Sequence, residues 1–153
     1  MLKKIILSIL ITCAFFACES TNESKEIVFV CTHGAARSPI AAAYFNKLAN
    51  ENNLNYHAVF KGTEPGLVLT KETIKGLTND GFKTDNWKPE KVTVQDVEKA
   101  YKIVTFDCSV PSKKSSDLTL EWNGTPSVSK DYNIARDVIK NNVEQLIEDL
   151  KEK

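Results

Sequence analysis

The sequence predicts an α/β domain built on a parallel sheet with helices on both faces. Short apolar, β-branched runs alternate with stretches of helical periodicity, the pattern of parallel strands joined by helical crossovers. The first run, 26–30, is apolar enough to be buried on both of its faces. The chain has 153 residues, one domain's worth. It shows no repeat, no low-complexity tract after residue 25 and no second domain.

Taken in order, Glu26 to Val30 is the first strand. Ser38-Pro39 opens a helix, with proline suited to the first turn, and Ile40, Ala43, Tyr44, Leu48 and Ala49 form its apolar stripe. Tyr56 to Phe60 reads as a second strand, closed by Lys61-Gly62-Thr63-Glu64-Pro65-Gly66. Leu69 to Asn79 is a helix with Gly81 as its C-terminal stop. Trp87 to Val92 is a connector and Val94 to Lys99 a short helical turn. Lys102 to Phe106 is the third strand, and Leu118 to Trp122 a candidate fourth. The last helix runs from Asn133 to Leu150, with Ile134, Val138, Ile139, Val143, Leu146, Ile147 and Leu150 expected on its inner face.

Charge excludes one class of partner. Twenty basic residues balance twenty acidic ones, so nothing draws the chain to nucleic acid or to an anionic surface. The N-terminus is a separate matter. Lys3 and Lys4 precede an apolar run from Ile5 to Ala17, 13 residues long. That is short of the ~20 residues a membrane span needs and matches the core of an export signal. The run ends at Ala17-Cys18 and a polar stretch follows to Lys25. This junction is similar to a bacterial lipoprotein signal, in which the cysteine becomes the lipid-bearing N-terminus. Phe15 stands where that signal usually has leucine. An ordinary secretory signal or a retained anchor are the other readings. The expected organisation is residues 1–17 as signal, 18–25 as tether and 26–153 as the domain, exported and held to a membrane through Cys18.

Four cysteines then reduce to Cys31 and Cys108 in the folded part. The pair invites a disulfide reading in an exported protein, but the setting of Cys31 calls for a free thiolate. Cys31 ends the first strand, Arg37 and Ser38 follow, and a helix begins. Successive amides of a short loop entering a helix converge on one spot, and the helix dipole adds positive charge there. Arg37 offers a planar fork matched to two oxygens of a tetrahedral anion. The same field favours the thiolate of Cys31, to which Ser38 can donate a hydrogen bond. Gly34, Ala35 and Ala36 are small enough for the loop to curl around a ligand, with Thr32 and His33 completing it. The result is a nucleophile aimed at a bound phosphate, and covalent catalysis through a phosphocysteine.

The loop Cys31-Thr-His-Gly-Ala-Ala-Arg37-Ser38-Pro39 resembles that of the low-molecular-weight protein-tyrosine phosphatases and their arsenate-reductase relatives. Lys61-Gly62-Thr63, Val104-Thr-Phe-Asp107 and Arg136-Asp137-Val-Ile139 carry the likeness through residues 26 to about 150. The resemblance implies a four-stranded parallel sheet, a phosphate-sized pocket after strand one, and hydrolysis of a phosphorylated protein or a small phosphomonoester. It implies no cofactor, and no metal-ligand spacing stands out.

Three departures from the family pattern bear on the reading. His33 takes a usual glycine, Gly34 a usual asparagine and Ala36 a frequent second cysteine. Thr125 stands where the family's proton-donating aspartate is expected, before Pro126. Asp131 is the nearest carboxylate, as general acid or as a helix cap, with Tyr132 beside it as a substrate wall. Trp87 and Trp122 are further candidates for that wall. A complete internal thiol relay is absent, leaving arsenate reduction with Cys108, thioredoxin or a small external thiol as the runner-up. Cys108 is either that resolving thiol, reversibly paired with Cys31, or a passive residue. His33 tunes the thiolate, touches substrate or, as a side chain pointing outward, is incidental, and His57 is structural. A non-catalytic oxyanion-binding lipoprotein is the third reading.

Overall fold

The computed structural model describes residues 23–112 and 115–152. The expected signal, Cys18 and the first part of the tether lie outside the described residues. Four strands run β1 Lys25–Cys31, β2 Tyr56–Gly62, β3 Lys102–Phe106 and β4 Thr119–Glu121. They form one sheet in the order β2-β1-β3-β4, every pair parallel. Helices α1 Arg37–Glu51, α2 Lys71–Asn79, α3 Val94–Lys99 and α4 Tyr132–Lys151 fill the connections. The predicted α/β class with a four-stranded parallel sheet is the observed one. All the strands end at the same side of the sheet, and Cys31 stands there.

Alternation along β1 divides the interior. Ile27, Phe29 and Cys31 face a core shared with α1 and α4, whereas Val28 and Val30 face a smaller one with Val92, Val97 and Ile103. Each fully buried Phe or Ile here contributes roughly 1.5–3 kcal/mol of transfer free energy. Helix α1 is buried continuously from Ser38 to Phe45 rather than along one stripe. Its run Ala41-Ala42-Ala43 lets it lie close between neighbours, a choice of side-chain size that periodicity alone does not show. In α4, Ile139, Val143, Leu146, Ile147 and Leu150 are inside as expected, joined by Ala135. Ile134 and Val138 were expected there too, but they are 56% and 36% exposed. The small Ala135 holds the inward position in that first turn, which leaves its larger neighbours outside.

Two local devices position the edges of the sheet. On the free side of β2, the Asn46 amide donates to Ala58 O at 2.9 Å and accepts from Ala58 N at 2.7 Å, so a side chain stands in for a missing strand. At the start of β1, the Lys25 ammonium lies over the rings of Tyr56 and Tyr101, at 5.4 and 4.8 Å. Lys25 N donates to Asn55 O, and the Ser24 hydroxyl bonds His57 Nδ1. The residues just before the expected domain start at 26 are therefore tied to the fold, Lys25 to the turn before β2 and Ser24 to one of the first residues of that strand.

A third device joins helices. Asp80, directly after α2, accepts from the hydroxyls of Tyr44 (2.8 Å) and Tyr132 (2.7 Å) and from the Arg136 guanidinium (2.8 Å). Burial alone would raise its carboxyl; those three donors outweigh it and hold the group below the ordinary carboxylate range. The Tyr44 phenol, desolvated and bonded to the carboxylate, is pushed up to about 12.

Candidate active site

The loop between β1 and α1 takes its shape from a strap, residues 63–70, that follows β2. Thr63 N donates to Cys31 O, Glu64 N to Thr32 O, Gly66 N to His33 O and Thr70 N to Ala35 O, at 2.8 to 3.2 Å. No peptide in the described chain is cis. In a trans peptide the carbonyl and the next N–H point opposite ways. Four carbonyls tied to the strap therefore turn the amides of Thr32, His33, Gly34 and Ala36 to the other side, into the cleft. Helix α1 adds to them, for no side chain caps its N-terminus at Ala36. Its first amides stay open to an anion.

Two glycines allow the loop and the end of β2 to meet backbone to backbone. Gly34 has φ +61, and a Cβ on it would lie 2.9 Å from Gly62 N. A Cβ on Gly62 would lie 2.8 Å from Gly34 N and from His33 C. Gly34, predicted for its small size, serves here as the point of closest approach.

Cys31 is 4% exposed. Its sulfur lies 3.1 Å from Ser38 Oγ, and that hydroxyl is 3.3 Å from Lys61 O. Thr32, His33, Ala35, Ala36 and Arg37 line the same cleft as the sulfur. The cysteine, the arginine and the serine of the predicted loop thus meet at one place. Arg37 is held by the carboxylate of Asp107 and by Phe106 O. Asp107, at φ +49, also accepts Gly124 N at 2.9 Å. The Gly124 N–H, with Arg37 behind it, keeps this carboxyl below its usual range despite some desolvation. Asp107 was flagged in the sequence only as part of the third strand's end; its hold on Arg37 spans 70 positions and has no local signature.

Several expected residues are elsewhere. The Asp131 carboxylate accepts Ile134 N at 3.1 Å as the cap of α4. It does not line the cleft around Cys31 and Arg37, so the capping alternative is the one the geometry shows. The Tyr132 ring packs against Gly76 of α2 and its hydroxyl serves Asp80, which corrects its reading as a substrate wall. Trp122 packs on Phe29 and Phe106, and Trp87 on Phe60. The polar wall beside Arg37 is made instead by Thr70, Thr125, Ser127 and Ser129; the sequence singled out Thr125 for its place before Pro126, but no motif marks the other three.

Cys31 and Cys108 are both free thiols. Cys31 belongs to the α1 side of the sheet, whereas Cys108 packs with the opposite cluster and donates to Val30 O at 3.4 Å. A direct bond between them, considered from the sequence, needs the segment after β3 to bring Cys108 around to the other face. Burial, with the nearby Cys31 charge adding to it, pushes the Cys108 thiol up.

Residues 26–121 match the family model described as low molecular weight phosphotyrosine protein phosphatase, and the chain belongs to that family. No curated protein matches it. Among solved structures it is similar to the YfkJ protein of Bacillus subtilis, with 21% identity, 86% of this chain and 98% of that one covered, and a TM-score of 0.76. An arsenate reductase of Archaeoglobus fulgidus shares 26% identity over 79% of this chain and 98% of its own, with a TM-score of 0.64. A low molecular weight phosphotyrosine phosphatase of Vibrio cholerae shares 16% identity over 84% and 97%, with a TM-score of 0.74.

Proposed function

We propose that the chain hydrolyses phosphomonoesters, in the manner of a protein-tyrosine phosphatase, through a phosphocysteine on Cys31. One observation carries this reading: four loop carbonyls are tied to the strap, which turns their partner amides toward the cleft that Cys31 and Arg37 line. That arrangement binds a tetrahedral dianion and sets phosphorus in line with the thiolate. On binding, the Arg37 fork exchanges the Asp107 carboxylate for two substrate oxygens. Ser38 stabilises the thiolate when it departs in the second step, in which water hydrolyses the S–P bond. Hydrolysis of an aryl phosphate, lost in Cys31→Ser while inorganic phosphate still binds, is the expected result. Turnover retained in that variant refutes it.

Arsenate reduction is the second reading, favoured by the similarity to the Archaeoglobus fulgidus arsenate reductase. Here Cys31 attacks arsenic, and a thiol then attacks the sulfur of Cys31 to release arsenite, leaving a disulfide. With Cys108 on the opposite face of the sheet, thioredoxin or a small external thiol is the better-placed reductant. Arsenate-dependent thiol consumption tests it, and a rate unaffected by Cys108→Ser identifies the external route.

The exported location and the lipid on Cys18 belong to the same proposal. Their support is the basic start, the short apolar run and the Ala17-Cys18 junction. Mass spectrometry of the mature N-terminus decides the matter, for an unmodified residue there, or an uncleaved start, removes the anchor.

A further inference from the structure

We propose that the free edge of β2 carries a small-molecule site, an open rung at Phe60 that takes a planar carboxamide or lactam. In an extended strand the N–H and C=O of one residue point to the same side, and the side alternates from residue to residue. Ala58 faces outward, for its N–H and C=O are both held by the Asn46 amide. Gly62 does too: its N–H donates to Glu90 O at 2.8 Å and its carbonyl accepts Val92 N at 2.9 Å. Phe60 lies midway between them, so its N–H and C=O also face outward. Neither has a partner among the described residues.

The chain that covers Gly62 stops short of this rung. Lys91 bridges Gly62 in parallel register, which would set Pro89 opposite Phe60. The bonds of such a pairing, Phe60 N to Lys88 O and Glu90 N to Phe60 O, are not made. The segment turns instead at Asn86, which has φ +67, and the Trp87 ring packs on that of Phe60. The gap left is a cavity of about 450 Å³, a size suited to a small ligand. Asn46, Phe60, Trp87 and Glu90 are among its walls, so it lies between the two covered rungs. It shares no lining residue with the cleft of Cys31.

The rung selects its occupant. The carbonyl and the adjacent N–H of a carboxamide or lactam lie side by side, complementary to the N–H and C=O of one strand residue. The neighbouring rung shows this pairing made, with the Asn46 amide on Ala58 at 2.9 and 2.7 Å. An added strand does not fit, because it needs several rungs in succession and those on both sides are taken. Trp87, its ring 5.6 Å from that of Phe60 between centroids, supplies a flat apolar wall that favours a ring over an open-chain amide.

The probe is 2-pyridone, a lactam on a flat ring, titrated into isotope-labelled protein and followed by NMR. Saturable shifts are expected at the Phe60 amide and the Trp87 indole, with a Kd of about 1 mM, ordinary for so small a ligand. N-methyl-2-pyridone keeps the ring and the acceptor but has no N–H. It should bind at least about 10-fold more weakly, because Phe60 O is then covered and left unpaired. Trp87→Ala, shown folded by its amide spectrum, should weaken 2-pyridone by about 10-fold, and Trp87→Phe, which keeps a flat ring, by less than about 3-fold. Equal binding of the two pyridones by the wild type overturns the proposal, whatever the variants do. Shifts confined to the Cys31 cleft, the absence of saturable shifts, or undiminished binding by a folded Trp87→Ala protein overturn it as well.

Discussion

Gly62→Ala tests how the catalytic loop is held, and its effect follows from distances. The added methyl would sit 2.8 Å from Gly34 N and His33 C and 3.0 Å from Thr32 O. Non-bonded heavy atoms settle near 3.5–4.0 Å, so the loop and the end of β2 must part by roughly 0.7 Å. All three neighbours are backbone atoms and none can rotate aside. Overpacking of this kind costs about 1–3 kcal/mol. The smaller entropy of the unfolded alanine chain offsets some 0.4–1 kcal/mol of that, leaving a net loss of about 1–2 kcal/mol. For a domain of this size that lowers Tm by roughly 3–8 °C. Catalysis suffers more, because the displaced atoms are the ones that set the amides around Cys31, and a ~1 Å misplacement costs about 100-fold. The assay is kcat/KM on an aryl phosphate at a temperature where thermal unfolding shows the variant still folded. A variant with wild-type Tm and turnover within twofold would show that the glycine contact does not hold the loop.

Further outcomes follow from other contacts. Arg37→Lys loses the fork and keeps the charge, so inorganic phosphate inhibition should weaken by about 10–100-fold; unchanged inhibition would mean Arg37 stays with Asp107 when the anion binds. Gly76→Ala should destabilise despite a helix-propensity gain of about 1 kcal/mol, because its methyl would lie 2.2 Å from the Tyr132 ring. Combining it with Tyr132→Ala should restore that gain in denaturant unfolding, and a stabilising single variant would refute the packing. Asp80→Asn removes a carboxylate that accepts three donors, at a cost of about 1.5–3 kcal/mol at neutral pH. The Asp80 carboxyl is lowered in the folded state, so its contribution is present above the unfolded carboxylate range and fades as pH falls through the folded value. The variant should therefore approach wild-type stability in acid, and a constant difference at every pH would refute the linkage. Cys108→Ser should leave aryl phosphate turnover within twofold.

Much of the fold was legible because local chemistry and tertiary position agree. Cys31, Arg37 and Ser38 are close in sequence, and a strand leading into a helix leaves their loop few other shapes. The strand runs and the stop of α2 before Gly81 read directly. What escaped depends on contacts between distant segments. Tyr132 looked like a wall residue from its place beside Asp131; a missing side chain at Gly76 and the carboxylate of Asp80 draw it elsewhere. Ile134 and Val138 have the right spacing, yet the inward position of that turn belongs to Ala135. His33 could be named but not placed, since the strap carbonyl it bonds lies 31 positions away. The hydroxyl wall of Thr70, Thr125, Ser127 and Ser129 gathers from two separate loops.

Because every strand points the same way, the two ends of β1 face opposite directions. The chain enters where Lys25 is gripped by Tyr56 and Tyr101. Cys31 stands six residue steps further on, roughly 20 Å along the strand. If Cys18 is lipidated as proposed, the seven steps to Lys25 reach at most about 25 Å, little more than the length of β1. A slack tether would then leave the mouth of the anchored enzyme to solutes and neighbouring proteins, and only one drawn almost straight would turn it onto phosphorylated lipids beneath it.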